Sequence, residues 1–238
     1  LNNTGSIIVG DSGFAISNLG KIDSLINSGL IQAGASAYGI SSIRDILTLN
    51  NSGRISAGAF GVAITFSYGR INALTNSGTI VSGGDGVVFS SSAQVSTIVN
   101  SGSITAGSLG SGIGNSASIG TLTNSGVITS GVSGYGVRNT GTIEVLNNFG
   151  SISGGSSGIL SAVSPSRIGT INNSQGAGNS YGGLVYSGTL PANYNVVINS
   201  PTNYGQLVGT RLTGGTNTTI FGIYNTSTVS VGTYASVL

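Results

Sequence analysis

The sequence predicts an all-β protein, a parallel β-helix (β-solenoid) built from coils of about 24 residues. Three observations support this prediction. A seven-residue phrase, LTNSGTI at 74–80, recurs at a nearly constant spacing. Apolar residues occupy the same positions in successive copies of it. Glycine makes up 42 of 238 residues, whereas the helix-favouring residues Glu and Lys occur once each. Such a period is typical of coils that stack because one coil cannot bury its own apolar face.

The glycine of the phrase sets the period, since its positions are 24 or 25 residues apart. These positions are Gly5, Gly29, Gly53, Gly78, Gly102, Gly126 and Gly150. A degenerate eighth copy, INNSQG, has Gln175 in the glycine position. We therefore expect about eight coils. We also expect a positive φ at each corner glycine, because other residues are strained in that conformation.

Four apolar columns share this register and predict the ribs of the core. Two residues before the Asn stand Leu1, Leu25, Leu49, Leu74, Ile98, Leu122, Leu146 and Ile171. Two after the Gly stand Ile7, Ile31, Ile55, Ile80, Ile104, Ile128 and Ile152. Three before the Leu column stand Ile22, Ile46, Ile71, Val95, Ile119, Ile143 and Ile168. A Gly-apolar pair recurs at 13–14, 39–40, 61–62, 86–87, 112–113, 136–137 and 158–159. Alternation and β-branching predict three short strands per coil, paired in parallel about 4.8 Å apart.

One polar column is present in all eight copies. It consists of Asn3, Asn27, Asn51, Asn76, Asn100, Asn124, Asn148 and Asn173. Within LTN, Leu74 and Asn76 are two residues apart and share a face of the strand. We therefore expect the Asn side chains to point inward and to pass amide hydrogen bonds from coil to coil, as in cross-β ladders. A polar binding stripe is the alternative reading.

A second polar column precedes the Ile22 column, and its first members alternate in charge: Lys21, Asp45 and Arg70. We expect these side chains to face outward. Opposite charges on adjacent coils would mark the register at the surface, each pair contributing about 0.2–1 kcal/mol.

The composition excludes several classes of function. Charged residues make up 5% of the chain, the net charge is +2, and the seven basic residues are scattered singly, so nucleic-acid binding is not expected. The chain has no Cys or His, which removes thiolate and imidazole metal sites, and no cofactor or metal site is predicted. No apolar run reaches the length of about 20 residues that a transmembrane helix needs.

Catalysis is not expected either. β-Helical lyases and hydrolases need adjacent carboxylates, or acids that hold Ca²⁺ beside a base. The five acidic residues are dispersed over the coils: Asp11, Asp23, Asp45, Asp85 and Glu144. The stretch GGDGV at 83–87 is a single partial match to a calcium-binding repeat, and we interpret it as a corner loop.

The last fifty residues break the period. We divide the chain into a parallel β-helix at 1–188 and a β-rich C-terminal cap, or degenerate continuation, at 189–238. Strand-like runs occupy 193–200, 205–212, 218–225 and 228–238. Residue 1 already lies inside a repeat, so we expect the chain to be a segment of a longer protein.

The LTNSGTI coils, followed by LPANYNVVINSPTNYGQL at 190–207, resemble the passenger domain of a Gram-negative autotransporter (type V secretion) of the β-helical adhesin type. The resemblance covers essentially the whole chain. It implies export through a C-terminal outer-membrane barrel and an extracellular location on the bacterial cell surface. It also implies that the segment at 189–238 assists folding outside the cell.

The leading functional expectation is a non-catalytic structural or adhesive rod that acts through its repeat surface. Its expected partners are other copies of itself and glycans or proteins of a host or matrix surface. One alternative is the subunit of a self-assembling extracellular filament. Another is a stalk for an enzyme or toxin domain outside this segment.

Overall fold

The computed structural model describes residues 1–162, 167–213 and 219–237, which form a parallel β-solenoid of about nine turns, against the eight predicted. Every regular element in those ranges is a strand, so none of the described residues forms a helix that could cross a membrane. Each regular coil contributes strands to three faces, named here in chain order.

The strands of the first face end at the Asn column. They are β1 (Asn2–Asn3), β4 (Ile22–Asn27), β7 (Ile46–Asn51), the second halves of β9 (Val62–Asn76) and β11 (Val87–Asn100), β14 (Ser118–Asn124), β17 (Thr142–Asn148), β20 (Arg167–Asn173), β23 (Asn193–Val196) and β27 (Ile220–Ile223). The second face carries the Ile7 column. It contains β2 (Ser6–Val9), β5 (Leu30–Ala33), β8 (Arg54–Ala57), β10 (Thr79–Ser82), β12 (Ser103–Thr105), β15 (Val127–Thr129) and β18 (Ser151–Ser153).

The third face closes each coil. It contains β3 (Phe14–Asn18), β6 (Tyr38–Ser42), the first halves of β9 and β11, β13 (Ser111–Asn115), β16 (Tyr135–Asn139), β19 (Ser157–Ser161), β22 (Leu184–Gly188) and β26 (Leu207–Leu212). Three further strands form a small antiparallel sheet: β21 (Gly176–Ala177), β24 (Ile198–Ser200) and β25 (Asn203–Gly205).

Equivalent residues of successive coils stack in register, which is why the apolar columns become continuous ribs. Leu49 pairs with Leu74 on the first face, and Ile80 pairs with both Ile55 and Ile104 on the second. Rib residues inside the rod are essentially inaccessible, whereas Leu1, at the end of its rib, is exposed. Stacking thus buries side chains that a lone coil would leave in water.

The Gly-apolar column is correct in five coils and wrong in two. On the third face the stacked residues are Ile16, Ile40, Ile64, Val87, Ile113, Val137 and Ile159. In the first and third coils this places Ala15-Ile16 and Ala63-Ile64, rather than Gly13-Phe14 and Gly61-Val62, in the column. The error is two residues, which keeps the same face of a strand inward, so alternation alone cannot detect it.

The predicted positive φ at the corner glycines is wrong. Glycines with positive φ among the described residues lie elsewhere, at Gly69, Gly178, Gly182 and Gly188. The corner glycine is needed for space instead. A Cβ on Gly78 would lie 2.1 Å from the carbonyl oxygen of Gly53 in the preceding coil, and Gly102 has the same relation to Gly78. Consecutive corners therefore stack backbone against backbone.

The C-terminal region departs from the three-face plan. The second face ends at β18, and the chain after Gln175 enters the antiparallel sheet, while β22, β23, β26 and β27 extend the other two faces. The runs predicted at 193–200, 205–212 and 218–225 each contain strands, although residue 218 lies outside the described ranges. The strand predicted from 228 is wrong, since residues 228–237 form no regular element. That tail packs through its Tyr234 ring against Tyr204, with centroids 5.3 Å apart.

Candidate functional surface

The Asn side chains that recur in each copy of the phrase form one continuous hydrogen-bonded column, which we call the Asn ladder. In each step the Nδ2 of one Asn donates to the Oδ1 of the next, over seven steps from Asn3 to Asn173, at 2.7–3.1 Å. The same Nδ2 also contacts backbone carbonyls; that of Asn76 reaches those of Gly78 and Ser103. Every ladder Asn is buried. These amides therefore satisfy one another inside the rod and are not presented to a ligand.

Two side chains terminate the ladder beyond β18, the last strand of the second face. The Oε1 of Gln175 accepts from Asn148 Nδ2 at 3.0 Å and from the backbone N–H of Ile152 at 2.8 Å. In earlier coils a backbone carbonyl accepts the corresponding Asn hydrogen bond, as Ser151 does from Asn124. The degenerate residue of the eighth phrase thus supplies an acceptor for the N–H of Ile152 in β18, the last strand of the second face.

Tyr194 is the hydrogen-bond partner of Asn173, the last Asn of the ladder. It stacks on Ile171 in the Leu column, while Val196 occupies the Asn column. The Tyr194 hydroxyl lies 3.0 Å from Asn173 Nδ2 and accepts its hydrogen bond. Burial raises the pKa of Tyr194 to about 12, partly opposed by the hydrogen bond from Asn173. Desolvation favours the neutral phenol, which suits a buried ladder terminus.

A second inward polar column runs along the third face, and the sequence reasoning did not find it. Asn115 Nδ2 donates to Asn139 Oδ1 at 2.8 Å, and Asn18 Nδ2 donates to Ser42 Oγ at 2.9 Å. Between these pairs the column contains Phe66 and Phe89, stacked with centroids 5.5 Å apart. The interruption hides the repeat, since the amides recur in only part of the coils. At these two coils β9 and β11 run on from the third face into the first.

The outward charged column has the predicted positions but different partners. Lys21 forms an ion pair at 2.7 Å with Asp23, two residues later in the same coil, and both side chains are highly exposed. The hydrogen bond to Asp23 and its charge raise the pKa of Lys21. Asp45 Oδ1 accepts from the backbone N–H of Arg70 at 2.9 Å. Its carboxylate therefore holds the next coil through the main chain.

Two further carboxylates make the same bond to the next coil. Asp11 Oδ1 accepts from the N–H of Ala35 at 2.7 Å, and Asp85 Oδ1 accepts from that of Ser111 at 2.6 Å. Asp85 belongs to the GGDGV stretch, which is a corner loop. Among the described residues, no three acidic side chains are grouped closely enough to hold a metal ion. Three of the five acids thus serve as intercoil acceptors.

The corner between the second and third faces carries exposed apolar side chains. Phe60 and Leu109 lie at the tips of that corner in the third and fifth coils and are 81% and 79% exposed. Between them the fourth coil presents Gly83 and Gly84, and the three coils line an open cleft of about 590 Å³. We call this cleft, with its two apolar walls and glycine floor, the tip cleft.

These features define the class of the molecule as a β-solenoid repeat protein with a saturated polar ladder inside and a sparsely charged surface. No protein-family model, curated protein or solved structure matches the chain.

Proposed function

We propose that this chain is a non-catalytic, extracellular structural or adhesive rod of the bacterial cell surface, akin to an autotransporter passenger. The observation that carries the proposal is that inward and outward side chains differ in chemistry and in role. The inward amides and apolar ribs hold the rod together, while the outward positions are mostly uncharged Ser, Thr and Asn with isolated apolar tips.

Such a surface favours many weak contacts over one strong site. A low net charge removes electrostatic repulsion between rods and between a rod and a neutral surface. Hydroxyl and amide groups repeated along the rod offer hydrogen bonds to glycans, matrix proteins or other rods. Because contacts recur along the rod and rods are numerous on a cell, weak individual contacts combine into strong avidity.

Surface labelling of intact cells that express the full-length protein tests the location. An antibody raised against the β-solenoid should label intact cells, and protease added to the medium should remove the signal. Cells that carry the protein should settle from suspension faster than cells that lack it, and they should adhere better to a matrix-coated plate. Labelling that appears only after permeabilisation would overturn the location, and unchanged settling and adhesion would overturn the adhesive role.

A filament subunit is the second candidate, and one observation favours it. Among the described residues, the last strands of the first and third faces carry exposed apolar side chains, including Val208, Phe221 and Ile223. Unpaired strand edges can template the strands of another chain. Negative-stain electron microscopy of the purified chain at high concentration separates the candidates, since a filament subunit should polymerise end to end, whereas an adhesive rod should form no end-to-end polymers.

A further inference from the structure

The corner that carries Phe60 does not need an aromatic residue for folding. The equivalent tips of the first two coils are Ser12 and Ser36, and all three residues share a φ between 50° and 58°. A bulky residue in this left-handed region is strained, whereas Ser is tolerated more readily. The Phe60 ring projects into solvent and makes no contribution to the core. Its presence therefore points to a contact outside the chain.

The tip cleft exists because the fourth coil cuts this corner short. The register pairs Ser82 with Ala57 and Val87 with Ile64, so the fourth coil covers in five residues what the third covers in seven. Relative to the fifth coil it is shortened by the same two residues, since Val81 pairs with Thr105 and Val87 with Ile113. The floor therefore lies below both walls.

The walls are two coils apart, which is about 10 Å at the strand spacing of a sheet. Aromatic and apolar groups in contact lie about 4.5–7 Å apart, centre to centre. One flat apolar group inserted from outside therefore contacts both Phe60 and Leu109. The chain itself carries a group of that shape directly beside the cleft, namely the Phe60 ring.

We propose that two copies of this chain pair antiparallel along this corner, with the Phe60 ring of each copy inserted into the tip cleft of the other. A two-fold axis midway between the third and fourth coils makes both insertions equivalent. It places each ring over the glycine floor of its partner and closes the contact at two copies. The inference deepens the proposed self-association and rests on that function.

The charges around the cleft fit a neutral partner. Residues 58–61 and 107–110 contain no charged side chain. The one acid of the lining, Asp85, is half-buried and already accepts the N–H of Ser111. A second copy brings the same uncharged tips to the contact, so no charge is buried without a partner.

The contact area indicates a weak pair. An aromatic side chain buries about 150–250 Å². Two inserted rings and the Leu109 walls therefore give an interface well below the 1,200 Å² or so of stable complexes. Such a contact suits rods presented in many copies, where the effective concentration is high.

Disulfide trapping tests the proposal on the purified chain, which has no cysteine of its own. Ala59→Cys places a single thiol on the exposed tip beside Phe60, near the two-fold axis. Leu19→Cys is the matched control, because Leu19 is 70% exposed on a different corner. We expect A59C to form covalent dimer under mild oxidation at least tenfold faster than L19C. Adding Phe60→Ser, the residue that the first two coils use at this tip, should bring the A59C rate down to that of L19C.

Equal trapping rates for A59C and L19C, or an A59C rate unchanged by F60S, would overturn the proposal. Circular dichroism establishes that each variant is folded. Sedimentation velocity gives a reading without thiols, since Leu109→Ser should abolish concentration-dependent dimerisation and Leu19→Ser should not. If F60S instead removes binding to a neutral glycan array while the wild-type chain stays monomeric, the cleft is a glycan site and the pairing is wrong. Trapping is measured on the purified protein, independently of the cell experiments. If trapping fails while surface labelling and adhesion are observed, this interface is wrong and the proposed function stands.

Discussion

The corner position of the repeat phrase has opposite roles in the first seven copies and in the eighth. In the regular coils a glycine lets the next corner stack at backbone contact, so the second face continues. At the eighth phrase Gln175 supplies a side-chain carbonyl in place of the next strand, and the face ends. The difference shows that hydrogen bonding governs both the continuation and the end of a face. In a regular coil the strand of the next coil pairs with the free backbone N–H and C=O groups, whereas at the end of a face side chains must pair with them.

The corner glycines give the largest expected difference between the two regions. Gly78→Ala forces a Cβ against the Gly53 carbonyl, so we expect the free energy of unfolding to fall by about 4 kcal/mol or more. In the C-terminal region Gly182 has a φ of +66° and open space around it, so Gly182→Ala should cost about 1–2 kcal/mol through backbone strain alone. Guanidinium unfolding of both variants checks this, with Gly5→Ala, which meets nothing within 4 Å, as the unaffected control. Equal losses for G78A and G182A would contradict the stacking explanation.

An interior rung of the Asn ladder should matter almost as much. Asn100→Ala removes two ladder bonds and leaves buried amide groups of Asn76 and Asn124 short of partners, so we expect a loss of about 3 kcal/mol. Asn50→Ala is the matched control, because Asn50 is an exposed neighbour of a ladder residue and should change stability by less than about 0.5 kcal/mol. Similar midpoints for N100A and N50A in guanidinium would show that the ladder contributes no stability.

The Tyr194 terminus should make the stability of the rod depend on alkaline pH. The pKa of Tyr194 is raised from 10.0 to about 12 in the folded chain. The stabilisation is therefore complete below pH 10 and is lost as pH rises towards 12, because the unfolded chain releases its proton first. Two pH units correspond to roughly 3 kcal/mol.

Unfolding of Tyr194→Phe at pH 8 and at pH 11.5 measures this contribution. The variant should lose about 1 kcal/mol at pH 8, through the missing hydrogen bond to Asn173. It should then show a shallower decline towards pH 11.5 than the wild-type chain. Tyr186→Phe is the companion variant, because burial also raises the pKa of Tyr186. A decline in Y194F as steep as that of the wild type would exclude the Tyr194 assignment.

Restoring the repeat phrase at its degenerate copy should weaken the protein. Gln175→Gly turns INNSQG into the consensus form, yet it removes the acceptor for Asn148 Nδ2 and for the N–H of Ile152. We expect a loss of about 2 kcal/mol. Thermal unfolding checks the sign, with Gln94→Ser on the exposed surface as control. A more stable Q175G would mean that the consensus glycine outweighs the capping role.

The charged column should give the smallest effect. The Lys21–Asp23 pair is exposed to water, so Lys21→Gln should leave the unfolding temperature unchanged within error. Asp45→Ala should cost about 1 kcal/mol, because it removes an acceptor that joins two coils. Unfolding temperatures measured at low and high salt separate the two, and a clear loss in K21Q would show that the ion pair fixes the register.

The period was readable in the sequence because stacking demands the same residue type at the same place in each coil. Leu, Ile, Asn and Gly each recur every 24 or 25 residues, so the columns, the parallel strands and the inward position of the amides follow from the period and from strand alternation. The third face was harder to place. There Asn, Ser and Phe share one column. In the first and third coils Ala15 and Ala63 replace the glycine of the Gly-apolar pair, and another such pair lies two residues earlier in the chain.

The sequence by itself determined the solenoid and the Asn ladder. Apolar residues that recur every 24 or 25 positions are buried together when the coils stack in register. Only the tertiary structure decided the role of the corner glycines and the places where the coils depart from the repeat. It showed that corner glycines serve close stacking rather than positive φ, and that Gln175 and Tyr194 end the ladder. It also showed that a shortened fourth corner opens a cleft beside Phe60. Each of these depends on distances between residues from different coils, and a linear pattern contains no such distances.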